Sequence, residues 1–196
     1  MRPAKKLLLQ ITCGAAASPL ARRSFLAAAA GVVLLSVLPG TARAQPSDVR
    51  RLTLYNPNTD EQFSDVYWHN DRYVAGSLDR INWLMRDYHR ERVMPIDPRL
   101  LDLLHRLAER PETDKPFQIL SGYRTAATNR LLRHEGFAAA VNSEHVRAKA
   151  ADIRIERVRL KHLRDAALSL KAGGVGIYWH EDFVHVDVGR VRSWHG

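Results

Sequence analysis

The chain has a single cysteine in 196 residues, Cys13, and none follows it. That scarcity excludes disulfides from residues 45–196 and removes thiolate as a nucleophile or metal ligand there, which suits an oxidising compartment. The first 44 residues also lack any Asp or Glu. They hold Arg2, Lys5, Lys6, Arg22, Arg23 and Arg43 around one apolar run, Ala27 to Leu38, which Pro39-Gly40 ends. A run of about a dozen residues falls short of the roughly 20 that a spanning helix needs, which argues against a membrane anchor. Arg22-Arg23-Ser24-Phe25-Leu26 precedes the run and Ala42-Arg43-Ala44 closes it with a small-x-small cleavage site. Residues 1–44 therefore read as a twin-arginine export signal and residues 45–196 as one exported domain, expected in the periplasm without a stable membrane anchor.

Charge excludes a second class. The chain carries 30 Lys and Arg against 21 Asp and Glu, a net +9. Six of those cations lie in the leader, so residues 45–196 have 24 against 21, a net +3. The basic excess belongs largely to the removed segment, and nucleic acid is not an expected partner. A mildly basic surface still suits an acidic polymer such as a bacterial cell wall. After residue 45 there is no internal repeat and no low-complexity tract. About 150 residues suffice for one domain that buries ~70% of its chain surface without staples.

The remaining pattern mixes strands and helices. Arg51–Tyr55 and Gln62–Trp68 flank the turn residues Asn56-Pro57-Asn58-Thr59-Asp60 and predict a hairpin. Ser77 is placed to cap a helix with Leu78, Ile81, Leu84, Met85 and Tyr88 on one face. Asp97-Pro98 starts a second helix, with Leu100, Leu101, Leu104, Leu107 and Ala108 carrying it to Pro111. Phe117–Leu120 predicts a buried strand, Thr125 caps a third helix to about Glu135, and residues 136–149 read as a loop. Ala150–Glu156 predicts a strand. Arg159–Lys171 predicts an amphipathic helix with a solvated basic face, stopped by Gly173-Gly174. Val175–Trp179 and Phe183–Val188 predict two strands joined tightly through His180 and Glu181. Without a strict βαβ rhythm, this predicts an α+β fold: a small, mainly antiparallel sheet flanked by helices. Trp68, Trp83 and Tyr88 are expected in the core, and Trp179 and Trp194 either in packing or at the edge of a groove.

Two residue pairs carry chemistry. His185 and Asp187 are two apart on a strand and share a face with Phe183, whereas Val184, Val186 and Val188 take the other. That is the pattern of a ligand with its orienting carboxylate, and equally of a histidine satisfied by a neighbouring hydrogen bond. His145 precedes Asp152 by seven residues, a loop histidine and a strand aspartate, or else a surface histidine and a turn aspartate. Together the pairs offer ligand types that zinc accepts. His180-Glu181 is no His-Glu-x-x-His motif, since the second histidine and the helix are missing.

Ser121-Gly122-Tyr123-Arg124, Ser143-Glu144-His145 with Asp152, and Gly174-Val175-Gly176 leading to His185-Val186-Asp187 together resemble the zinc D-alanyl-D-alanine peptidase group. This group includes VanX-type dipeptidases, phage L-alanyl-D-glutamate endolysins and the hedgehog-like fold. The likeness covers roughly residues 50–194 and is strongest to the murein endopeptidase K-like proteins, exported peptidoglycan hydrolases. It implies one Zn²⁺ held by His145, Asp152 and His185, with Asp182, three residues before the last ligand, as base. Glu181 and His180 are neighbouring substitutes for that base, because the group varies there. It implies Arg124 as the residue that steadies the substrate carbonyl, and peptidoglycan stem peptides as substrate. Asp187 fits an orienting or site-lining role, or a strand-face salt bridge. The expected activity is cross-link hydrolysis. An inactive metal-containing wall-binding module and a D,D-carboxypeptidase are the alternatives.

Overall fold

The computed structural model describes residues 49–110 and 114–196. The expected export signal with Arg22, Arg23 and Cys13 lies outside the described residues, as does Pro111. The elements in chain order are β1 (Arg50–Asn56), β2 (Glu61–His69), β3 (Arg72–Tyr73), α1 (Ala75–Leu84), α2 (Pro98–Ala108), β4 (Phe117–Ser121) and α3 (Ala126–His134). A short 3₁₀ turn at Glu144–Arg147 follows, then β5 (Ala150–Ile155), α4 (Leu160–Leu170), β6 (Gly174–Tyr178), β7 (Phe183–Asp187) and β8 (Arg192–His195).

Among the described residues the strands form one eight-stranded sheet in the order β3-β2-β1-β4-β5-β7-β6-β8. Five of its neighbour pairs are antiparallel, whereas β1–β4 and β6–β8 run parallel. The fold is α+β as expected, with a sheet that is mixed and larger than the sequence implied. The two parallel joins follow from long connections: α1 and α2 lie between β1 and β4, and β7 lies between β6 and β8.

Strand alternation sorts the centre of the sheet into two faces. Ala151, Ile153 and Ile155 of β5, Val175 and Ile177 of β6, and Val184 and Val186 of β7 enter the apolar core. There they meet Leu100, Leu101, Leu104 and Leu107 of α2 and Leu163, Ala167 and Leu170 of α4. Each fully buried leucine contributes about 1.5–3 kcal/mol, so this layer dominates the stability of the domain. The other face of the same strands carries Asp152, Arg154, Phe183, His185 and Asp187. The polar chemistry therefore sits directly behind the main core.

The starts of α2 and α3 follow local capping chemistry, and those of α1 and α4 do not. Asp97 caps α2, accepting from the Arg99 amide at 3.0 Å, and Thr125 caps α3, accepting from the Thr128 amide at 3.1 Å. Ser77 does not cap α1. The N-cap is Val74, and Ser77 lies inside the first turn, donating its hydroxyl to the Val66 carbonyl at 2.6 Å. A strand carbonyl thus outcompetes the helix amides for that side chain. α1 ends at Leu84, before Tyr88. α4 stops at Lys171 in the left-handed region (φ 49°), and Gly174 opens β6. Trp83 is 49% exposed, its indole donating to Glu61 Oε1 at 2.8 Å under the Arg86 guanidinium, so it is not core. Trp68 packs against the core from its edge.

Candidate metal centre

Three segments converge on the polar face of the sheet. Asp152 of β5 and His185 of β7 are direct register partners, His185 pairs with Gly176 of β6, and Gly176 pairs with Trp194 of β8. Ser121 of β4 pairs with Asp152 on the other side. One row across five strands therefore holds two of the candidate ligands. The third arrives from the 3₁₀ turn. Ser143 Oγ accepts from the His145 amide, and Ala148, in the left-handed region, closes the turn with its amide donating to the His145 carbonyl at 3.1 Å. The stretch expected to be loop therefore contains an ordered turn that aims His145 at the sheet.

The geometry fixes which atoms face the centre. The Gly122 carbonyl can only accept, so the His145 Nδ1–H donates to it at 2.6 Å, leaving Nε2 with a free lone pair. Nε2 lies 3.1 Å from Asp152 Oδ1 and 3.1 Å from His185 Nδ1, and the last two atoms are 2.9 Å apart. The other His185 nitrogen, Nε2–H, donates to Asp187 Oδ2 at 3.1 Å. All three residues are buried, His145 at 2% exposure, Asp152 at 4% and His185 at 7%. Among the described residues they form a group of metal-ligating side chains able to hold an ion, one donor atom from each within 4.8 Å of the others.

The donor set fits a divalent cation. Ligands ~2.0–2.1 Å from a tetrahedral zinc stand ~3.3 Å from one another, close to the separations seen here. Electrostatics argues the same way. Burial and the nearby Arg124 charge push His145 down to about 4, so its imidazole is neutral at ordinary pH. Burial works against ionisation of Asp152, but His145 and Arg124 outweigh it and hold the carboxyl well below the usual range. Burial also opposes charge on His185, and hydrogen bonds to Asp152 and Asp187 overcome it, so its affinity for a proton is raised. The three groups together thus favour a single positive charge among them.

The other expected residues divide. Arg124 forms an ion pair with Asp152 Oδ2, the oxygen away from the histidines, while its Nε donates to Ser121 Oγ at 2.7 Å. The Arg124 amide donates to the His145 carbonyl at 3.2 Å, so this one residue ties two ligand segments together. Asp187 is fully buried beside His185. Asp182 is on the β6–β7 turn in the left-handed region (φ 57°), with its exposed carboxylate 3.3 Å from Arg154 Nη1. The adjacent Glu181 lines the same cleft as the candidate ligands His145, Asp152 and His185.

That cleft encloses about 480 Å³. It is lined by the segment after α3, with Phe137 and Ala138–Ala140, and by Tyr178, Phe183 and Trp194. Tyr88, expected in the core, lines the cleft, as does Trp194. Trp179 is 51% exposed and is not among the lining residues. The sequence reading missed β8, which supplies Arg192 and Trp194. Its four residues are too few to stand out, but Gly174-x-Gly176 was a usable signal. Two residues without side chains on one strand face leave room for two large ones from the neighbouring strand.

Comparison with known proteins bears on the family of the chain. Residues 44–194 match the peptidase family described as peptidoglycan L,D-endopeptidase MepK. The peptidoglycan L,D-endopeptidase MepK of Escherichia coli K12 is 40% identical over 177 residues, 89% of this chain and 97% of that protein. Its namesake in Shigella flexneri is identical to the same degree over the same span. A probable peptidoglycan L,D-endopeptidase MepK of Haemophilus influenzae is 35% identical over 170 residues, 85% of this chain and 91% of its own. With the match spanning nearly all of the described residues, the chain belongs to the peptidoglycan L,D-endopeptidase MepK family.

Proposed function

We propose that this chain is an exported zinc endopeptidase that hydrolyses peptide cross-links of peptidoglycan, and that, as in the names of its relatives, the bond is an L,D cross-link. The observation that carries the reading is the meeting of His145 Nε2, Asp152 Oδ1 and His185 Nδ1 within about 3 Å of one another on the floor of an open cleft. Zinc bound there would supply a hydroxide-strength nucleophile near neutral pH and polarise the scissile carbonyl.

The chain's own groups have distinct tasks. Gly122 and Asp187 fix the tautomers of the two histidines. Arg124 holds Asp152 and, as a cleft-lining cation, places positive charge where the tetrahedral intermediate gathers negative charge. A carboxylate of the β6–β7 turn takes the proton of the attacking water and returns it to the departing amine. Glu181 is the better placed for this, because Asp182 is engaged with Arg154.

The cleft favours an internal bond over a chain end. Of its lining arginines, Arg86 is paired with Glu61 and Glu91, Arg124 with Asp152, and Arg192 with Asp187. A carboxypeptidase needs a cation for the terminal carboxylate; Arg86 and Arg192 are held by acidic partners within the fold, and Arg124 is the one that serves the reacting carbonyl in this reading. The test is incubation of purified protein with isolated sacculi, followed by separation of the soluble muropeptides. Cross-linked dimers should be converted to monomers, conversion should stop with a chelator, and zinc should restore it. Unchanged dimers with zinc-loaded protein would refute the activity and favour a wall-binding module.

A further inference from the structure

We propose that Arg192 of β8 is a positioning residue for the metal site, acting through Asp187 on the ligand His185. The inference rests on the reading of His145, Asp152 and His185 as ligands.

Asp187 is 0% exposed, and both its oxygens are occupied. Oδ1 accepts from the Gly174 amide at 2.9 Å, the Gly189 amide at 2.8 Å and Arg192 Nη1 at 3.1 Å. Oδ2 accepts from Arg192 Nη2 at 2.7 Å and from His185 Nε2 at 3.1 Å. The guanidinium thus grips both oxygens of the carboxylate, a geometry that lysine cannot reproduce. With its rotamer fixed, Asp187 presents one lone pair to His185 and turns the opposite ring nitrogen, Nδ1, towards His145 and Asp152.

The sheet is built to let this happen. Gly174 pairs with Arg192 and Gly176 with Trp194 across β6–β8. A methyl group at Gly174 would collide with Arg192 and Asp187, and one at Gly176 with the Trp194 indole. The two glycines therefore form a window through which β8 reaches past β6 to β7. Through it the Trp194 ring also packs against the His185 ring, with centroids 5.2 Å apart and the indole N–H held by the Tyr178 hydroxyl at 2.9 Å. Outer partners of metal-bound histidines typically set 10–100-fold in metal affinity. Here the outer partner is itself held by a residue from the edge of the sheet.

The test compares zinc affinity of wild type, Arg192→Met and Arg192→Lys by competition with a chromophoric chelator. The visible spectrum of the Co²⁺ forms and the thermal melt of the metal-free forms are recorded beside it. Lys161→Met, on the exposed face of α4, is the control. The expected result is a loss of roughly 10–100-fold in affinity for Arg192→Met and a smaller loss for Arg192→Lys. An altered Co²⁺ spectrum should accompany both, with Lys161→Met unchanged. Should Arg192→Met fail to fold, Arg192→Lys keeps the charge and decides the matter by itself. Wild-type affinity and spectrum in a folded Arg192 variant would overturn the inference while leaving the ligand assignment intact. Absence of zinc binding by wild type would overturn both.

Discussion

Glu181 and Asp182 are adjacent, both acidic and both exposed, yet backbone geometry separates their fates. The left-handed conformation at Asp182 turns its carboxylate to Arg154, while Glu181 lines the cleft. Proton transfer by a positioned side chain is worth about 10²–10⁴-fold in rate. Glu181→Gln should therefore lower kcat on cross-linked muropeptides by roughly that factor at unchanged zinc content. Asp182→Asn should stay within a few-fold of wild type. The reverse ranking would return the base to Asp182, the position the resemblance points to. The residue scale also shows what spacing alone misses. The seven-residue step from His145 to Asp152 and the two-residue step from His185 to Asp187 were legible as pairs. The Gly122 carbonyl that fixes the His145 tautomer was not, because a backbone acceptor leaves no mark in side-chain chemistry.

Among the elements, α3 shows how a site wall is anchored. Its N-cap Thr125 donates its amide to Asp87 Oδ2 at 2.8 Å, and Asp87 is buried off the end of the helix where its charge meets the positive end of the dipole. Burial disfavours the charged form of Asp87, but hydrogen bonds from Thr128 and Thr125 outweigh it and lower its pKa from 3.8. A depressed carboxylate contributes stability that is complete above the unfolded value and is lost as pH falls through the folded one. Asp87→Asn should therefore flatten the acid limb of the stability curve below about pH 4, read from urea midpoints at successive pH values. An acid limb as steep as wild type would count against this. Elements with strong periodicity or capping, such as α3, α4, β5 and β7, were legible within a residue or two. The start of α1 was not, because the tertiary partner Val66 took the Ser77 hydroxyl. β3 and β8 were not either, since strands of two and four residues carry no pattern of their own and depend on neighbours for pairing.

At the scale of the whole molecule, no helix among the described residues is long and apolar enough to cross a membrane. The proposal of export rests separately on the sequence of residues 1–44, where Arg22-Arg23 precedes the apolar run. Replacing both arginines with lysine should leave the full-length precursor in the cytoplasm, as read by fractionation and immunoblot. Normal periplasmic accumulation would refute the twin-arginine route. The sheet topology adds a consequence for assembly. Asp152 and His185 face each other across β5 and β7, with Ile153 and Val184 opposed in the adjacent row. A slip of one residue would send an ionised group through the sheet among the leucines and bring an aliphatic side chain up in its place. Correct threading of the two central strands and the meeting of Asp152 with His185 are thus one and the same condition, so on the proposed metal reading a zinc titration of freshly refolded protein would count the molecules whose strands have found their alignment.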